Sequence, residues 1–136
     1  MKAAWGAGLT ALMLALSGPA WGGDAVSAYE LGLQQRNGIG VARDEAAARD
    51  SFAQAAAGGV PAAMFMLAQM LAAGEGGARD EPAASGWIER AAELEYPEAL
   101  QELALRERDP RRAAELLREA AHALQHRAHE GRRAGY

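Results

Sequence analysis

Three histidines are the residues best placed for chemistry in this 136-residue chain. His122, His126 and His129 fall at i, i+4 and i+7, one stripe of a helix, with Glu115 and Glu119 in the preceding turns. Imidazoles one turn apart can chelate zinc, nickel or copper, which makes His122 and His126 the metal candidates. On a helical wheel this stripe lies opposite Ala113, Leu117, Ala120 and Leu124, the residues expected to face the core. The histidines are therefore expected on a solvated polar face, with weak metal binding as the alternative. Asp44-Glu45 and Asp80-Glu81 are carboxylate pairs of the kind used in acid–base catalysis. They recur at equivalent places and suit helix N-termini, where the dipole favours negative charge, so capping is their expected role. The chain has no cysteine, which removes thiolate nucleophiles, disulfides, Cys-based zinc sites and lipoprotein attachment. No Gly-rich loop is followed by Lys-Ser or Lys-Thr, so no P-loop is visible. No cofactor is implied, and no enzyme is expected.

The elements that must position these side chains are helices. Alanine, the strongest helix former, is abundant, while aromatic residues make up only 6% of the chain. An all-α protein follows. The net charge of −4 argues against a nucleic-acid surface, so no nucleic acid is expected as a partner. That charge is unevenly spread. Residues 24–104 hold 13 acids and five arginines, whereas residues 105–136 hold eight arginines, five acids and all three histidines. The split could orient a partner or simply let the chain's two ends neutralise each other.

Residues 1–22 read as a secretory signal: Lys2, an apolar stretch to Leu16, then Ser17-Gly18-Pro19 and small residues at the cut. Cleavage is expected after Gly22, alternatively after Ala25. The apolar run is too short to span a bilayer and ends in helix breakers, so no stable membrane span is expected after cleavage. A soluble periplasmic or secreted bacterial protein follows.

A 36-residue shift superposes the rest on itself. Leu31 meets Leu67, Gly38 meets Gly74, Gly40 meets Gly76, Asp44 meets Asp80, and Pro61 meets Pro97. Each unit reads as two helices: residues 26–37 and 45–57, then 61–73 and 81–94. Gly38 and Gly74 end the first helices. Asp44 and Asp80 cap the second ones, and Pro61 and Pro97 open the next first-type helices. Leu31 and Leu67 belong to the apolar stripes, and Phe52, Trp87 and Ile88 fill the remaining core volume. The expected divisions are repeat 1 over residues 26–60, repeat 2 over 61–96 and a truncated capping repeat over 97–130. A disordered tail over 131–136 completes the chain. The third unit lacks the Gly-x-Gly turn. It is expected to close the stack with a polar outer face.

These residues resemble the Sel-1-like repeat (SLR) family of tetratricopeptide-like α-solenoids. The resemblance rests on Ala28, Leu31-Gly32, Gly38-Ile39-Gly40-Val41, Asp44, Ala48 and Ala55-Ala56. It continues through Leu67-Ala68, Gly74-Glu75-Gly76, Asp80, Ala84, Trp87-Ile88 and Ala91-Ala92. Ser51 stands where the family has Trp, and Ala68 where it has Gly. The resemblance implies stacked antiparallel helix pairs and a scaffold or adaptor role without catalysis. The partner would be a protein or peptide, here met by a monomer. Its binding surface is expected on the first-type helices: Glu30, Leu33 and Gln34, then Met66, Gln69 and Met70, with Met66 and Met70 forming an adaptable apolar patch.

Overall fold

A computed structural model describes residues 22–135, so the expected signal segment lies, but for Gly22, outside the described residues. Six helices follow in order: α1 (Gly22–Asn37), α2 (Glu45–Ala57), α3 (Pro61–Ala73), α4 (Glu81–Glu93), α5 (Pro97–Arg106) and α6 (Pro110–Ala134). Each packs on its neighbours in sequence, giving the expected α-solenoid of helix pairs. The two expected cleavage points bracket the first turn of α1. Ala25 in that turn is buried, and its Cβ fills the space a side chain at Gly58 would need. Helix α6 runs on to Ala134, through residues assigned to a tail.

The repeat is reproduced bond for bond at its turns. Asp44 Oδ1 accepts the Ala47 N–H at 3.0 Å, and Asp80 Oδ1 accepts that of Ala83 at 3.0 Å. These are the caps expected of the two acid pairs, each contributing about 1 kcal/mol. Asp109 caps α6 through the Arg111 N–H. The Ile39 N–H donates to the Gln34 carbonyl, as Glu75 N–H does to Met70. One difference separates the copies. Gly40 and Gly76 share a positive φ (73° and 74°), but a Cβ on Gly40 would meet nothing. A Cβ on Gly76 would lie 2.4 Å from the Glu45 carbonyl oxygen at the start of α2. Gly76 thus serves both the turn and the contact with the preceding repeat. Gly40→Ala should cost about 1–2 kcal/mol, the left-handed strain alone, and Gly76→Ala clearly more, since backbone must also shift. Urea denaturation of the two variants checks this; equal losses would contradict the stacking role.

Burial follows the stack rather than the repeat. Phe52, Met64 and Met70 are the largest fully buried side chains, and Ile88 and Leu67 are buried with them. Leu31, expected in the core, is 42% exposed, whereas its counterpart Leu67 is 4% exposed. The reason is position: the repeat before α3 helps to cover Leu67, and α1 has no such repeat before it. Trp87 is half-buried rather than central, with the Arg90 guanidinium 4.8 Å over its ring. Leu117 and Leu124, expected to face inward, are 51% and 40% exposed. Leu116 and Ala120 are the buried residues of α6. The outer face of the third unit is therefore partly apolar, contrary to the polar cap expected.

Candidate interaction groove

The first-type helices α1, α3 and α5 lie side by side, and a groove of about 450 Å³ runs between them. Its floor comes from α3, where Phe65, Ala68, Gln69 and Ala72 lie at i, i+3, i+4 and i+7 on one face. Phe65 is held by the Tyr96 ring at 5.7 Å. Small side chains at Ala68 and Ala72 leave the space open, and Ile88 of α4 closes the bottom.

Charge on the rim is already paired. Arg36 Nε donates to Glu75 Oε2 at 2.9 Å and Nη2 to Oε1 at 3.2 Å, tying the end of α1 to the turn after α3. Arg49 donates to the carbonyls of Ala78 (2.7 Å) and Glu75 (3.4 Å), fixing the same turn. Across the groove Arg106 bonds Glu102 at 3.0 Å and reaches Ser85 Oγ at 3.3 Å. The hydrogen bond and charge of Arg36 hold the Glu75 carboxyl below the usual carboxylate range. The sign follows. A depressed folded-state pKa contributes stability above the unfolded pKa, and that contribution is lost as pH falls through the folded value. Glu75→Gln should therefore cost less than about 1 kcal/mol at neutral pH, a gap that closes in acid. A gap independent of pH would contradict the ion-pair reading.

The expected binding residues divide. Gln69 lines the groove. Leu33 and Met66 are half-buried, and Glu30 and Gln34 are exposed but outside the lining. Met70 is fully buried and cannot form a surface patch. The true face of α3 sits one position earlier than expected, because Gln69 is the only polar side chain in α3. A helix that is apolar all round gives no periodicity from which to choose a face. The cue available was the aromatic pair Tyr29 and Phe65, 36 residues apart.

The histidine stripe is exposed, as expected. His122 and His126 Nε2 atoms converge to 3.3 Å, while His129 Nδ1 turns toward Arg132 at 3.2 Å. Among the described residues, no group of three or more His, Cys, Asp or Glu side chains is arranged to hold a metal ion. Glu115 pairs with Arg112 instead. Also among the described residues, no helix is long and apolar enough to cross a membrane.

No protein-family model and no curated protein matches the chain. Solved structures do. A Sel1 repeat protein from Oxalobacter formigenes matches at a TM-score of 0.71 and 23% identity, over 82% of this chain and 48% of that one. A protective antigen present in uropathogenic Escherichia coli strains, displaying an SLR fold, matches at a TM-score of 0.67 and 31% identity. That match covers 76% of this chain and 24% of the antigen. The chain thus spans about half of the one and a quarter of the other.

Proposed function

We propose that this chain, which has the Sel1-like repeat fold, is a non-catalytic interaction module that holds a peptide segment of another protein in the groove of α1, α3 and α5. The observation that carries the reading is the groove itself, an apolar floor between rim charges that are paired in advance. A peptide can enter without first ordering those side chains, which lowers the entropic cost of binding. The proposed setting is the bacterial envelope, with export directed by residues 1–22 and the mature chain acting as an adaptor.

Selection of peptides from a random library, followed by affinity measurement on a groove-filled variant, tests the site. Ala72→Trp should weaken the selected peptides at least about tenfold while helicity is retained. Unchanged affinity would remove the groove from the proposal. Hydrolysis of cell-wall fragments by the purified chain would overturn the non-catalytic reading. Mass spectrometry of the envelope fraction tests export: a chain starting at Gly23 supports it, and an intact Met1 contradicts it.

A second reading rests on the converging Nε2 atoms of His122 and His126. Two imidazoles on adjacent turns would act as a weak chelate, with water completing the coordination of a divalent metal. Calorimetry with zinc or nickel should show micromolar binding that is lost in His126→Asn; no heat at that level would eliminate it.

A further inference from the structure

The two ends of the stack are finished differently. At the α1 end, polar residues replace the apolar ones found one repeat later. Asp24, Ser27 and Gln35 stand where α3 and its approach carry Val60, Ala63 and Leu71. Gln35 is further satisfied by the Ser51 hydroxyl, which donates to its Oε1 at 2.6 Å. This end is closed with polar groups, as terminal repeats are.

The α6 end is not. Aligning the Ala pair Ala120-Ala121 with Ala55-Ala56 and Ala91-Ala92 puts Leu117 at the position of Phe52 and Ile88. Phe52 and Ile88 are buried to within 2% exposure, in pairs whose second helix is followed by α3 or α5. Ala56 and Ala92 are buried too, but Ala121 is exposed. By contrast Ala120 stays buried, like Ala55 and Ala91, because its cover lies within the described repeats. What α6 has lost is what a following first-type helix would cover. The stripe continues at i, i+3 and i+4 spacing through Ala114, Leu117, Ala121, Leu124 and Ala128. Leu105 on α5 is also largely exposed.

Charge identifies what fits there. Arg111 and Arg118 line the solvent flank of the stripe, are exposed, and have no ion-pair partner among the described residues. A second copy pairing through the same stripe would bring one arginine flank against another. The closed end of a second copy offers polar residues to an apolar surface. We infer that the α5–α6 end is a second docking site, built for an amphipathic helix with acidic flanks from a partner protein, seated where the first helix of a following repeat would lie. Apolar burial along the stripe supplies affinity, and the arginine flank selects the acidic partner. The groove and this end face different directions of the stack, so one chain can hold two partners.

Fluorescence anisotropy on the full chain tests this with two synthetic helical peptides. One carries leucines at i, i+3, i+4 and i+7 flanked by glutamates, and the other has lysines in place of the glutamates. The acidic peptide should bind at least about tenfold more tightly, and added salt should narrow the difference. Leu117→Glu with Leu124→Glu should abolish binding with the helical spectrum unchanged, since both side chains are exposed. Arg111→Glu with Arg118→Glu should reverse the peptide preference. Ala72→Trp should leave this binding intact, which separates it from the groove. Equal affinity for the two peptides overturns the inference, as does no binding by the unaltered chain. So does a dimer in analytical ultracentrifugation that Leu117→Glu dissociates, because the occupant is then a second copy.

Discussion

Met70→Glu should unfold the protein. Met70 is fully buried between the helices of repeat 2 and is among the three largest side chains so enclosed. Replacement removes a thioether from a packed core, itself worth about 2–5 kcal/mol. It also places there a carboxylate for which the packed apolar core offers no partner, and burying an unpaired charge adds several kcal/mol more unless the group is protonated. The combined loss is comparable to the total stability of about 5–15 kcal/mol typical of such domains. Circular dichroism at neutral pH should show the cooperative transition absent or displaced far toward lower urea. Recovery of helix at acidic pH, where the carboxyl is neutral, would support the mechanism. Met66→Glu is the contrast: Met66 is half-buried, and its head can reach solvent, so the fold should survive with a loss of about 1–2 kcal/mol. A folded Met70→Glu protein with near-native stability would mean that Met70 belongs to the surface after all.

Phe52→Ala should cost about 3–5 kcal/mol. The ring is fully buried, lies 5.9 Å from the Tyr29 ring, and fills the space left by Gly32, where a Cβ would approach it to 2.7 Å. Gly32 and Phe52 are thus one packing unit: the missing side chain of one makes room for the other. Little can collapse into the vacated space, because the neighbouring positions Ala48, Ala55 and Ala56 are already small. Trp87→Ala, though it removes a larger side chain, should cost less, since the indole is only half-buried and part of its contact is with the exposed Arg90. Chemical denaturation of the two variants orders them, and a larger loss at Trp87 would contradict the burial described.

The local grammar of the fold was legible in the sequence. Asp44 and Asp80 cap helices because a side-chain oxygen three residues before a free N–H is a local matter, and any copy of the motif behaves alike. The positive φ at Gly38 and Gly74 is equally local. What periodicity did not reveal was which copies are covered. Leu31 and Leu67 are identical in type and register, yet one is exposed and the other buried, because burial depends on whether another repeat precedes them. Leu117 differs from Ile88 for the mirror-image reason at the other end. The groove was hidden differently: in α3 nearly every side chain is apolar, so its face had to come from tertiary contacts such as Phe65 with Tyr96.

The turn after α3 sets how the protein would respond to mechanical load. Arg36 and Arg49 both grip it from repeat 1, and Gly76 lets it sit against the Glu45 carbonyl. The corresponding seam between repeats 2 and 3 has no such turn, and its polar tie is the longer bond from Arg106 to Ser85. Pulled from its two termini, the chain would part at the second seam first. The α5–α6 hairpin would peel away while repeats 1 and 2 held together, giving two rips of unequal force in a single-molecule trace. A partner tugging on the α6 end would therefore feel a compliant handle, joined to a stiffer grip that keeps hold of its own cargo.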